Sequence, residues 1–299
     1  MKEHTRIALL VVYNHRYDKN IPIIQRLYEK RFSHIYHLVP FYNGNIENVI
    51  TVYENSFYFQ SYIAQAYQQI KKQDFTHFYI IADDLIVNPE INENNLFDKI
   101  GIAKDECWLP ARLKSLHKKE ITLWCHIFSA IEYNTKKDGV DVTGILPKKE
   151  QAEKIFRSKN LQIGKIPLKV FFNWFKDNIR IITPKLIKNI FWILFDRRLK
   201  YPLIGGYSDT FIVTSDVMPK FANYCGAFAA SKLFVEIAIP TSMVLAANKL
   251  KIGQNEPTVN NTTNKGIEKF NYSLEALLDN FPKCQYLHPI KLSKWTFTV

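Results

Sequence analysis

The sequence predicts an α/β fold, a mostly parallel central sheet flanked by helices and carrying a basic, aromatic helical insertion. Three observations predict it. Apolar runs at 6–12 (RIALLVV), 34–39 (HIYHLV) and the start of 77–87 (HFYIIADDLIV) read as strands covered on both faces. Helical stretches separate them, so strand, helix, strand, helix, strand fill the first 90 residues. Right-handed crossovers then make the sheet parallel. Finally, residues 165–200 combine bulky apolar side chains with nine Lys and Arg against two Asp.

Each element has its own justification. After the first strand, the polar turn YNHRYDKN leads into a helix over 21–30, where Ile23, Ile24, Leu27 and Tyr28 recur at helical spacing. The strand 34–39 ends in a turn at Asn43-Gly44, and 47–53 adds a short strand. A helix over 56–72, capped by Ser56 and finished by lysines, precedes the central strand 77–87. Residues 104–150 give only a weak strand-and-loop pattern. Pro184 is expected to split 165–200 into two helices. The turn-rich Tyr201–Asp209 enters a strand (TFIVT), and Ser215 or Asp216 caps a helix through Tyr224. A last helix spans 231–250 around Glu236, broken at Pro240, and 253–266, rich in Asn, Thr and Gly, reads as a mobile loop.

The composition is 47% hydrophobic and 23% charged over 299 residues, enough for one substantial core and too apolar for disorder. A net charge of +12 favours anionic partners. Cys107, Cys125, Cys225 and Cys284 form no C-x-x-C pair, which argues against a zinc site or a disulfide framework. The run Ile7–Val12 is too short for a signal-peptide core, so the N-x-S/T triplets at Asn260, Asn261 and Asn271 are read as chance matches. The expected setting is cytoplasmic, with peripheral membrane contact.

Asp83-Asp84 is the sharpest chemical feature. Two acids directly after a buried strand are costly unless a cation or hydrogen-bond donors meet them. A divalent metal bridging a diphosphate would do so, since hard cations prefer oxygen ligands. Adjacent side chains on a strand point to opposite faces, so both reach one ligand only if the strand has ended there. The plainer alternative is one Asp capping a turn and the other solvated.

The order of a β/α half, an acidic pair at the end of its last strand, and a second half resembles the glycosyltransferases of the GT-A, Rossmann-like fold. YPLIGGYSDTFIVTSDVMPKF, followed by FVEIAIP, is similar to their Gly-rich acceptor loop, strand and acidic helix, and YLHPIK to the segment bearing a late His. The resemblance implies one catalytic domain over 1–299. Within it, 1–100 is the nucleotide-sugar-binding half, 101–164 is mixed, 165–200 is the helical insertion and 201–299 is the acceptor-binding half with the C-terminal tail. It implies that Asp83 and Asp84 hold Mn2+ or Mg2+ against the diphosphate of a UDP- or GDP-sugar, with His288 as the late metal ligand. Gly205 and Gly206 would form the acceptor loop. Glu236 would take the acceptor hydroxyl proton, and Asp209 is the substitute base or a partner for acceptor hydroxyls. The family motif is D-x-D, whereas this chain has Ala82-Asp83-Asp84-Leu85, which makes metal dependence less secure than the fold.

Several residues admit two readings. Glu236 is either a partly buried base or an exposed acid paired with Lys232. His288 is either a ligand or a loop histidine. In the loop after the first strand, Tyr13 could stack on the base and Asp18 accept from the ribose; turn chemistry explains Asn14 and Asp18 equally well. Lys291 could contact phosphate. The stretch 165–200 either lies on an anionic membrane, which suits a lipid-linked glycan acceptor, or packs as an insertion with solvated charges. Nucleic acid is not expected as a partner, because the candidate site is acidic. A metal-dependent nuclease or nucleotidyltransferase and a non-catalytic nucleotide- or glycan-binding protein are the alternatives.

Overall fold

The computed structural model describes residues 5–118, 127–171, 184, 187–253 and 272–295. Cys125, residues 172–183 and 185–186 of the expected helix pair, residues 254–266 of the Asn/Thr-rich loop, and Asn260, Asn261 and Asn271 at the start of the three N-x-S/T triplets lie outside the described residues.

The chain forms β1 (Ile7–Val12), α1 (Ile21–Tyr28), β2 (His34–Pro40), β3 (Val49–Val52), α2 (Gln60–Ile70) and β4 (His77–Ala82). There follow β5 (Ile86–Val87), α3 (Leu96–Ile100), β6 (Cys107–Leu109), α4 (Ile127–Ile131), a small hairpin of β7 (Lys136–Lys137) and β8 (Val140–Asp141), and α5 (Lys149–Ser158). The last third contributes β9 (Thr210–Thr214), α6 (Met218–Ala230), α7 (Val235–Ala246), β10 (Leu250–Ile252), α8 (Leu274–Asp279) and β11 (Tyr286–Leu287).

Seven strands build the central sheet in the order β10-β6-β9-β4-β1-β2-β3. The expected parallel half is present, with β1 pairing in parallel with both β2 and β4, and β2 with β3. One strand is reversed: β9 runs antiparallel to β4 and to β6. Strand alternation divides the core. Ile7, Leu9 and Val11 face α1, α3 and α8, while Ala8, Leu10 and Val12 face α2, α6 and α7. Both faces are therefore covered, which is why these strands read as unbroken apolar runs.

Several element boundaries differ from expectation. The segment 77–87 is not one strand. β4 stops at Ala82, a turn carries Asp83 and Asp84, and β5 leaves to pair antiparallel with β11. Asn55 rather than Ser56 opens the second helical segment, its side chain accepting from Phe57 N at 3.0 Å. α6 starts at Met218 with no side-chain cap, so neither Ser215 nor Asp216 serves there. Pro240 lies inside α7 without breaking it. Proline has no N–H for the carbonyl four residues back, that of Glu236, and Gly206 N supplies one at 2.9 Å.

Candidate functional site

The reversed strand builds the site. Because β9 is antiparallel to β4, its first residues lie beside the last residues of β4, and Ala82 N donates to Asp209 O at 2.7 Å. Asp209 thus joins the acidic pair across 125 residues of sequence. The C-terminal segment closes the other side: β11 pairs with β5, and Ile290 N donates to Asp84 O at 2.6 Å. That return sets His288 Nε2 at 3.2 Å from Asp84 Oδ1 and 4.0 Å from Asp209 Oδ2. The Asp84 contact is a close charge pairing; Asp84 Oδ1 is buried and makes no well-aligned hydrogen bond.

The two adjacent acids meet different surroundings. Asp83 is 4% exposed, and its Oδ1 accepts Asn14 N from the end of β1 at 3.2 Å. Burial and the Asp84 charge push Asp83 up to about 7, against hydrogen bonds from Asn14 and Asn20. Asp209 is also raised, by burial and by Asp84, with His288 opposing. Burial alone would lower His288, but Asp84, Asp209 and Asp83 outweigh it and hold its pKa above the ordinary value. Glu236, in the first turn of α7, is pushed up to about 7 by burial and by Asp209, while Lys114 and His288 pull the other way. It does not pair with Lys232, which instead lies 3.5 Å from Glu54.

A cavity of about 300 Å³ opens beside the pair, lined by Asn14, His15, Tyr17, Asn20, Ser56, Asp83, Asp84, Lys291, Leu292 and Ser293. It lies at the carboxyl ends of the parallel strands, where open α/β sheets bind ligands. Asn14, Asp83, Asp84 and Lys291 therefore share one space, as the sequence suggested.

Other expected site residues do not join them. Tyr13 is fully buried with its hydroxyl 2.9 Å from His37 Nδ1, so no base can stack on it. Asp18 is engaged by Arg16 at 3.0 Å and does not line the cavity. Gly205 and Gly206 are buried, not an open acceptor loop. Gly205 exchanges both backbone bonds with Lys114, at 2.7 and 3.0 Å. A side chain on Gly206 would meet Pro240 Cγ at 3.0 Å, so this glycine serves the close approach of the chain to α7.

Sequence reasoning also missed residues. Tyr207 stacks on Tyr286 at 6.3 Å between ring centroids and meets the His288 ring edge-on at 5.8 Å. Burial and the Asp209 charge raise its phenol far above the ordinary value. The signal was a period of two: Tyr207 with Asp209, and Tyr286 with His288, share a face on approach to or departure from a strand. Tyr17, Asn20, Ser56 and Ser293 carry no comparable signal, because loop conformation alone brings them to the cavity.

The donor set partly fits a hard divalent cation. Two carboxylates face one cavity, Asp84 Oδ1 is buried without an aligned donor, and a positive charge would relieve the mutual repulsion that raises Asp83. His288 does not complete the set: among the described residues, no group of three or more His, Cys, Asp or Glu is arranged to hold a metal ion. Its ring nitrogen instead faces the Asp84 and Asp209 carboxylates. The sequence matches no protein-family model, and no curated protein matches it at a significant level. The class defined by fold and site is thus an α/β protein with an acidic, ligand-sized cavity at the carboxyl end of its sheet.

Proposed function

We propose that the protein is a glycosyltransferase of the GT-A type that uses a nucleoside diphosphate sugar. One observation carries the reading. Asp83, Asp84, Asp209 and Glu236 come from three separate stretches of chain and gather with His288 around the end of β4, and two of them share a cavity with Lys291. Burial and neighbouring acids raise Asp83, Asp209 and Glu236, and carboxylates so placed are retained at a cost, as active sites commonly do.

The chemistry follows from position. Lys291 and the loop of Asn14 and His15 face the volume where a nucleoside diphosphate fits. A divalent cation held by Asp83 and Asp84 would offset the negative charge developing on the departing diphosphate. Glu236 near pKa 7 is half ionised at neutral pH, which suits removal of a proton from an acceptor hydroxyl. In an inverting transfer that oxygen bonds to the anomeric carbon as the bond to the diphosphate oxygen breaks. Asp209, charge-paired with His288, orients the acceptor side. The acceptor is a saccharide or a lipid-linked glycan in surface-glycan synthesis.

Calorimetric titration with UDP and with GDP, in manganese and then in chelator, tests this reading. Binding of one nucleotide, weakened by chelator and by the double change Asp83→Asn with Asp84→Asn, supports it. Binding of both nucleotides unaffected by the double change removes the pair from the site.

A further inference from the structure

We propose that residues 187–195 form a docking face for an anionic lipid bilayer. Five large apolar side chains in this stretch point into solvent: Ile187 is 66% exposed, Ile190 42%, Phe191 76%, Leu194 50% and Phe195 72%. Their spacing of three, four, seven and eight residues puts them on one side of the helical turn, and the Phe191 and Phe195 rings stack at 6.4 Å. The opposite side is anchored. Ile193 is buried in the core, and Trp192 meets Phe171 edge-on at 6.1 Å.

The segment is bonded at both ends. Asn189 Nδ2 donates to Glu132 Oε1 at 3.1 Å, and Lys188 Nζ lies 3.1 Å from the same oxygen. Arg197 closes the end by donating to the carbonyls of Ile166, Ile193 and Leu194 at 3.1, 3.0 and 2.8 Å. These bonds tie the face to the folded domain. Soluble surfaces rarely gather so many large apolar groups without a partner.

Charge identifies the partner. The bridge between Lys165 and Arg198 brings these two segments together at the end of the face, where Lys165, Lys169, Arg198 and Lys200 are exposed; Asp196 is exposed there too, and Glu132 is taken up by Lys188 and Asn189. Arg198 also lines a small cavity with Lys149 and Glu153. Aromatic and aliphatic side chains ringed by Lys and Arg suit the boundary between head groups and acyl chains of an anionic leaflet. No described helix is long and apolar enough to cross a bilayer, so the contact is with one leaflet. The face is independent of the transferase reading of the acidic site.

Co-sedimentation of the whole protein with phosphatidylcholine vesicles, with and without phosphatidylglycerol, tests it. The parent is expected to bind the anionic vesicles and to release them in high salt. The double change Phe191→Ser with Phe195→Ser should weaken binding by roughly tenfold or more. Arg198→Glu with Lys200→Glu should weaken it by a similar factor and flatten the salt dependence. Both phenylalanines are exposed, so the melting temperature should stay at the parental value; if it falls, the charge pair alone decides. Absence of binding by the parent, or binding at the parental level by both variants, overturns the proposal. So does lipid-free self-association abolished by the phenylalanine changes, which would make the face an interface between copies.

Discussion

Two regions of this molecule break the usual arrangement of side chains, in opposite directions. At the end of β4, carboxylates gather largely withdrawn from water, with Asp83 and Glu236 both pushed up to about 7. At 187–195, large apolar groups stand in water, Phe191 at 76% exposure. A protein selected for stability alone would exchange the two patterns, charge outward and aromatics inward. Each region is comprehensible if something outside the chain completes it: cations and a diphosphate in the first, a lipid surface in the second. The difference also assigns separate effects to substitutions. Changes at the acidic pole should alter chemistry and pH dependence, and changes at the exposed face should alter location.

The largest effect should come from Glu236→Gln, which keeps the shape and removes the proposed base. Turnover should fall by about 10³-fold. In the parent, the turnover rate should rise with pH through about 7 as Glu236 ionises, and the variant should lose that limb. A parental profile flat between pH 5 and 9 would remove Glu236 from the base role. Next, Asp84→Asn should lower turnover by about 10²-fold and blunt the response to manganese.

A third prediction concerns stability. The carboxyl of Asp83 holds its proton to about pH 7 in the folded protein but releases it near its ordinary 3.8 when unfolded. The folded state therefore binds more protons between those values, and stability falls as pH rises across that window. Asp83→Asn should remove this loss. Its stabilising effect should be small near pH 4 and reach about 1–3 kcal/mol above pH 7 in denaturant unfolding. A variant less stable than the parent at pH 8 would mean that the ionised Asp83 is well solvated. The smallest effect should be that of Gly206→Ala, whose new methyl meets Pro240 and strains the backbone bond to Glu236. A loss of about 1 kcal/mol is expected, with turnover lowered only severalfold.

Much of the acidic pole was legible in the sequence. The unbroken apolar runs identified β1, β2 and β4, although 77–87 read as one strand and β4 stops at Ala82, before the acids. Asp209 and Glu236 stood out as acids near apolar segments. What could not be read was their meeting: it depends on β9 running antiparallel and on β11 leaving the main sheet to pair with β5. Neither pairing has a local signature. Tyr13 was misread although its position was available, since extending Ile7, Leu9 and Val11 by one step puts it on the buried α1 face. The glycine pair was misread because a close approach to Pro240 leaves no trace in composition. At 165–200, charge and aromatic content announced an unusual surface, but only the fold separated buried Ile193 from exposed Phe191 and Phe195.

The most direct test of the central claim is nucleoside diphosphate release from a panel of UDP- and GDP-sugars, with manganese and with chelator, for the parent and Asp84→Asn. Release from one donor, suppressed by chelator and by Asp84→Asn, is the predicted result. Release from none of the donors, together with no calorimetric binding of UDP or GDP, would contradict the account and leave the acidic cavity to another ligand.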